Sequence, residues 1–209
     1  MSLQEDVAAI FDETAVGRIN FTLDHLRIAA GGLRQVGAAI RSRRITLSEV
    51  TSLPADAAYD IDSNVLKLRS TDAAELATKS MRGMIVHESV HALIDMSWAT
   101  GATALTGEVA GYTAQILYRM NRGQEQLLRD WAATNAQTDD GRIFAAVIGL
   151  IDRVDLRREN EAGRGVQIPW ATYVDVRRVV HGHPLYSGLG FMESHGANGI
   201  PRSRTGPGR

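Results

Sequence analysis

The chain has no cysteine. That excludes a disulfide scaffold, a thiolate metal site and a cysteine nucleophile. It leaves the redox compartment open, because a chain without thiols is stable in either setting. Net charge is nearly absent as well, −1 at pH 7 from 23 basic and 24 acidic residues, so nothing points to nucleic acid or an anionic membrane as a partner. No apolar run reaches ~18 residues without a charge, so no membrane span is expected. Residues 1–12 lack both a basic leader and a continuous apolar stretch, and so do not read as a Sec signal. On this reading the protein is cytoplasmic unless a specialised route exports it. What is present, 44% apolar and 22% charged residues in 209, is ordinary for a globular chain and enough for one domain with a sizeable core.

One stretch stands apart from this background. His87-Glu88-Ser89-Val90-His91 is an H-E-x-x-H run inside the apolar segment from Met81 to Trp98. On a helix, histidines four apart lie one turn above each other, so both imidazoles can reach one metal ion. The adjacent glutamate then stands beside the ion's open face, where it can take a proton from a water. At about 100° per residue, His87, His91, Asp95 and Glu88 share one sector of the helix. Met81, Met84, Ile85, Val86, Val90, Leu93, Ile94, Met96 and Trp98 surround them on all sides. A helix apolar all round is buried, and buried ionisable groups need partners. From the chain's six His and ten Glu, an accidental match arises on the order of once per hundred such chains. The bland alternative is a helix whose histidines meet backbone carbonyls and whose glutamate pairs with an arginine.

The remaining pattern predicts helices over 3–16 and 20–40, the second broken by Gly31-Gly32. A short strand follows over 44–50. A hairpin comes next, with arms 57–61 and 65–68 and Asp62-Ser63-Asn64 as its turn. Asp72 to Glu75 fits a capping box opening the motif helix, which should run to about Thr100 before Gly101. A short link then predicts an antiparallel helix over 105–121. Residues 124–135 continue helical. Thr138-Asp139-Asp140 is an N-cap cluster for a further helix with an apolar face from Ile143 to Leu156, 161–167 reads as a loop, and Pro169-Trp170 opens a last helix to about Val180. Arg41-Ser42-Arg43-Arg44 reads as a solvated helix end. The expected fold is α+β: one mainly helical domain over 1–195, with a small sheet of about three short strands preceding the H-E-x-x-H helix. Its parts are 1–43 (helical), 44–122 (sheet and metal-site helices) and 123–195 (helical), followed by a disordered tail over 196–209.

A catalytic zinc site needs three protein ligands and an open position. Asp95, eight residues from His87, is about 12 Å along the axis and is expected to hold the His91 ring rather than share the ion. Glu108, on the following antiparallel helix, is the expected third ligand. Gly111 and Tyr112 fall on its face, and a glycine inside a helix is costly unless it permits close approach, so Gly111 should face the motif helix.

His87-Glu88-x-x-His91-Ala92 followed by Glu108 resembles the zincin metallopeptidases, and within them the gluzincins, whose third ligand is a glutamate. Ala92 and Asp95 are similar to the thermolysin-like form of that helix. Gluzincins often carry an aspartate four residues after the ligand glutamate, where this chain has Tyr112. The resemblance covers about thirty-five residues, Met81 to Gln115. It implies Zn²⁺ held by His87, His91 and Glu108, Glu88 as the water-activating catalytic residue, and a peptide or protein substrate added to an edge strand, which would be Val65 to Arg69. The size of the chain is similar to compact zincin domains of bacterial effectors and toxins. An oxyanion donor is expected from Tyr112, Tyr173, His181, His183, Tyr186 or His195. For the histidines, solvated loop positions are the plain alternative. Two other functions fit the same residues: hydrolysis of a non-peptide amide, and a zincin-like binding domain without catalysis.

Overall fold

The structure is a computed structural model, which describes residues 2–97, 99, 101–190 and 195. The chain begins with α1 (Leu3–Ala9), capped by the Ser2 hydroxyl, a tight turn over Ile10–Asp12, and α2 (Thr14–Gly17). It then forms an antiparallel hairpin, β1 (Asn20–Leu23) and β2 (Leu26–Ala29), before α3 (Ala30–Arg41). The helical stretch expected over 20–40 is therefore wrong in its first half. Leu26, Ala29, Leu33, Val36 and Ile40 match helical spacing, but Phe21, Leu23, Leu26 and Ile28 are buried in alternation with more exposed neighbours, which is the period of a strand. Asp24 turns the hairpin at φ 50°, a conformation that aspartate tolerates. Gly31 and Gly32 lie in the first turn of α3 and do not break it. Arg41 at its end pairs with Asp12 and Glu5.

The next three strands are β3 (Thr46–Glu49), β4 (Ala57–Asp60) and β5 (Val65–Leu68), joined in the order β3-β5-β4. The predicted hairpin forms, with Tyr59 opposite Leu66 and Asn64 at φ 54° in its turn. The expected edge strand is corrected here. β5 pairs with both β3 and β4, so Val65 to Leu68 has no free edge, and β4 is the edge packed on the motif helix. A second sheet, β2-β1-β6, arises because residues 166–168, the first two of them expected as loop, pair in parallel with β1.

Asp72 caps only the four-residue α4 (Ala73–Leu76), and its own N–H goes to Ser70 rather than to Glu75. The motif helix is α5 (Lys79–Met96), capped by the Thr78 hydroxyl. It is shorter at both ends than expected, and the predicted end at Thr100 lies outside the described residues. As expected, it is buried round its whole girth, with His87 and Asp95 among its enclosed side chains. α6 (Ala104–Arg119), capped by Thr103, runs antiparallel to it. A Cβ at Gly83 would meet Gln115 and Arg119, one at Gly111 would meet His87, and one at Gly107 would meet Ile94. At the foot of this helix pair, Glu13 accepts from Arg82, Arg122 and the Tyr118 hydroxyl, tying the N-terminal part to the site helices.

A widened turn over Met120–Gln124, with Gly123 at φ 77°, leads into α7 (Glu125–Thr134). Then come α8 (Asp139–Arg153), capped by Thr138 as predicted, α9 (Leu156–Glu161), β6 (Val166–Ile168) and α10 (Trp170–His181) after Pro169. The buried apolar residues from Val7 to Val180 form one continuous core. The result is a mainly helical α+β fold with two small sheets. Among the described residues no helix is long and apolar enough to cross a membrane. The expected tail, 196–209, lies outside the described residues.

Candidate metal centre

The antiparallel α5–α6 pair brings His87, His91 and Glu108 together. His87 Nε2 is 3.3 Å from Glu108 Oε2, and His91 Nε2 is 3.5 Å from Glu108 Oε1. One donor atom from each of the three lies within 4.8 Å of the others, and no second such group occurs among the described residues. The spacing is informative. Bonds of 2.0–2.1 Å in a tetrahedron place donors about 3.3 Å apart, so each histidine already stands at that spacing from a Glu108 oxygen. His87 is 2% exposed, whereas the His91 and Glu108 side chains keep 12% and 16%. The donors are thus held within the core, with His91 and Glu108 keeping a little exposure.

The outer nitrogens of both rings are also engaged. His87 Nδ1 lies 3.3 Å from Gln115 Oε1, and His91 Nδ1 lies 2.8 Å from His195 Nε2. With Nδ1–H donating in each case, loss of any Nε2 proton would leave both Nε2 lone pairs free for an ion, the tautomer that metal binding requires. The His195 ring stacks on His91 at 5.1 Å, and its backbone N–H donates to the Ala102 carbonyl. Two glycines one turn apart on α6 make room for these rings. A Cβ at Gly107 would lie 2.5 Å from the His195 ring, and one at Gly111 would lie 2.8 Å from His87.

Glu88 faces the sheet. Its Oε2 accepts the N–H of Tyr59 at 2.8 Å, on the outer edge of β4. The Tyr59 hydroxyl donates to Asp95 at 2.9 Å, so Asp95, expected to hold the His91 ring, braces β4 against α5 while His195 holds the ring. Burial pushes the Glu88 carboxyl above the ordinary carboxylate range, against the opposing pull of His87, His91 and the Tyr59 amide. Burial alone would depress His91, but Glu108 and Glu88 outweigh it and raise the ring to about 9. The same pair holds Glu108 well below the ordinary range despite its burial. Without a metal at neutral pH, the centre is thus an imidazolium–carboxylate pair.

Of the expected oxyanion donors, His195 stands against His91, and Tyr186 and Tyr112 are also at the site. Their hydroxyls are 3.1 Å apart, and the Tyr112 ring stands edge-on to His87 at 4.6 Å. Burial raises the Tyr186 phenol far above its ordinary value, reinforced by Glu108, so it stays protonated. Tyr173 is buried elsewhere, bonded to Asp24 in the β1–β2 turn. His183 faces Asp140 at 3.4 Å and the Tyr186 ring at 5.3 Å, and His181 ends α10. Sequence reasoning missed Gln115 and Tyr59, and it offered His195 as an oxyanion donor or a solvated loop residue rather than as a partner of His91. Gln115 was findable, since it lies seven residues after Glu108 on one helix face. Nothing local marks the other two.

Two measurements test this geometry. Metal binding must displace the His91 proton, so affinity for a divalent ion should rise about tenfold per pH unit from pH 6.5 until it levels near 9. Isothermal titration across that range reads it, and a flat profile would contradict the charged pair. Gly111→Ala sets two terms against each other. Alanine favours the helix by about 1 kcal/mol, while overpacking costs about 1–3 kcal/mol. Stability should fall by no more than about 2 kcal/mol, but the displaced His87 ring should weaken metal binding more than about tenfold, as for losses of ring orientation.

Comparison of the chain with family models, with curated proteins and with solved structures returns no match.

Proposed function

We propose that the chain is a zinc-dependent peptidase, with His87, His91 and Glu108 as metal ligands and Glu88 as general base. The observation that carries this reading is convergence. Three donors lie within 4.8 Å of one another, each histidine 3.3–3.5 Å from a Glu108 oxygen, and the Glu88 carboxylate is anchored to the outer edge of β4. Two imidazoles and a carboxylate in that geometry suit Zn²⁺. When bound, Zn²⁺ acidifies a water and polarises a carbonyl.

The chain's own groups do the rest. Glu88 takes the Tyr59 N–H on the outer edge of β4, so an extended peptide laid beside that edge would run past Glu88 and the donor set. Glu88 removes a proton from the attacking water as its oxygen bonds to the carbonyl carbon. It then delivers that proton to the amide nitrogen as the C–N bond breaks, and its raised proton affinity suits both transfers. The protonated Tyr186 phenol, braced by Tyr112, donates to the carbonyl oxygen as negative charge builds there.

Elemental analysis of the purified full chain, followed by cleavage of a random peptide mixture with and without a chelator, tests the proposal. One equivalent of zinc and chelator-sensitive cleavage are expected. Protein that neither retains nor takes up a divalent ion would overturn it. Zinc with no cleavage of any peptide would favour a non-peptide amide or a non-catalytic binding role.

A further inference from the structure

Beyond Glu108, α6 presents Tyr112, Gln115 and Arg119 in succession along one face. Together with Met84, Trp131 and Phe144 they line a cavity of about 320 Å³, within the size range of ligand pockets. The cavity shares two walls with the metal centre, because Tyr112 and Gln115 both touch His87. A substrate side chain next to a bond cleaved at that centre can enter it.

The charge inside this cavity is unbalanced. Arg82, Arg122, Arg129 and Arg157 are half-buried, and each holds a carboxylate. Arg119 is equally half-buried, yet among the described residues it pairs with no carboxylate, and its Nε donates to the neutral Gln124 amide. Its stem is fixed against Gly83, where a Cβ would lie 3.0 Å from Cδ. A desolvated cation without a counter-charge is costly and is offset by any anion that reaches it. Two acids also line the cavity, and each has a partner of its own. Asp56 pairs with Arg69, and Asp140 is 62% exposed and faces His183. Opposite them, Trp131 and Phe144 pack at 4.9 Å and give an apolar wall for methylenes.

We propose that this cavity is the specificity pocket of the peptidase and selects an acidic side chain, whose carboxylate pairs with the Arg119 guanidinium. The inference rests on the peptidase reading, so its test has an arm that does not need cleavage. The zinc-loaded full chain is given a random peptide mixture, and the products are sequenced by mass spectrometry. Aspartate or glutamate should be enriched about tenfold at one position flanking the cleaved bond, the ratio one charge-assisted hydrogen bond supplies. Arg119→Met keeps the stem packing and should lose the enrichment while still cleaving neutral peptides. Arg119→Glu should shift the preference to lysine and arginine.

Cleavage without acidic enrichment, or enrichment that survives Arg119→Met, overturns the pocket and leaves the peptidase intact. If nothing is cleaved, the peptidase reading has failed and binding decides the pocket. N-acetyl-glutamate methylamide should then shift the Arg119 Nε–Hε resonance saturably, and the glutamine analogue should not. Equal shifts from both, or none from either, overturn the pocket.

Discussion

Replacing Glu88 by glutamine should lower peptide hydrolysis by about 10²–10⁴-fold, the usual worth of a positioned general base, and leave the metal content unchanged. The variant isolates proton transfer from architecture. Glutamine has the same length, and its amide oxygen can still accept the Tyr59 N–H that holds Glu88. The fold around β4 should therefore persist. What is lost is the basic oxygen, whose proton affinity burial raises. Since Glu88 belongs to neither the α5–α6 donor pair nor its outer partners, zinc should bind as in the parent chain. Equal turnover by the two proteins would sink the general-base assignment. Lost zinc together with lost activity would instead place Glu88 among the ligands.

Glu108→Gln should produce the other large effect. Losing an outer partner of a metal ligand costs 10–100-fold in affinity, so losing the carboxylate that completes the donor set should cost more than about 100-fold. Titration of the metal-free variant with Zn²⁺ reads this directly. Stability measured against pH gives an independent check with a definite sign. His91 titrates near 9 in the folded protein and near 6.5 when unfolded. Its pairing therefore contributes stability that is full below about 6.5 and is lost as pH rises towards 9. Metal-free parent protein should lose stability across that window. The variant keeps the side-chain volume but removes the main cause of the raised value, so its profile should be flatter. Parallel profiles would mean that Glu108 does not charge His91.

Much of this site could be read from local spacing, because most of it lies on two consecutive helices. The i, i+4 histidines, the third donor after a short link and the glycine facing His87 all follow from helix periodicity and hairpin packing. The Thr138 cap and the β4–β5 turn are equally local. The failures share a cause of another kind. At residues 20–29, apolar spacing satisfied both a helix and a strand, and pairing with β6, far along the chain, settled the matter. Val65 to Leu68 looked like an edge because parallel pairing with β3 leaves no mark in sequence. Tyr59 meets Glu88 across 29 positions and His195 meets His91 across 104. Neither has a period to follow. The aspartate that gluzincins often place four residues after their ligand glutamate has no counterpart at Tyr112. Gln115 and His195 hold the rings here.

The distance in sequence between His91 and His195 also orders events in time. At roughly 5–20 residues per second, the ribosome needs on the order of 5–20 s to add the 104 positions between them. The helical hairpin carrying all three donors is synthesised well before Tyr186 and His195. A nascent chain can therefore capture its ion while it still lacks the phenol that would stabilise the reaction and the imidazole that would steady His91. On the proposed reading, the order of synthesis would make metal loading early and full competence late, so that a ribosome-bound chain would not yet carry the complete site.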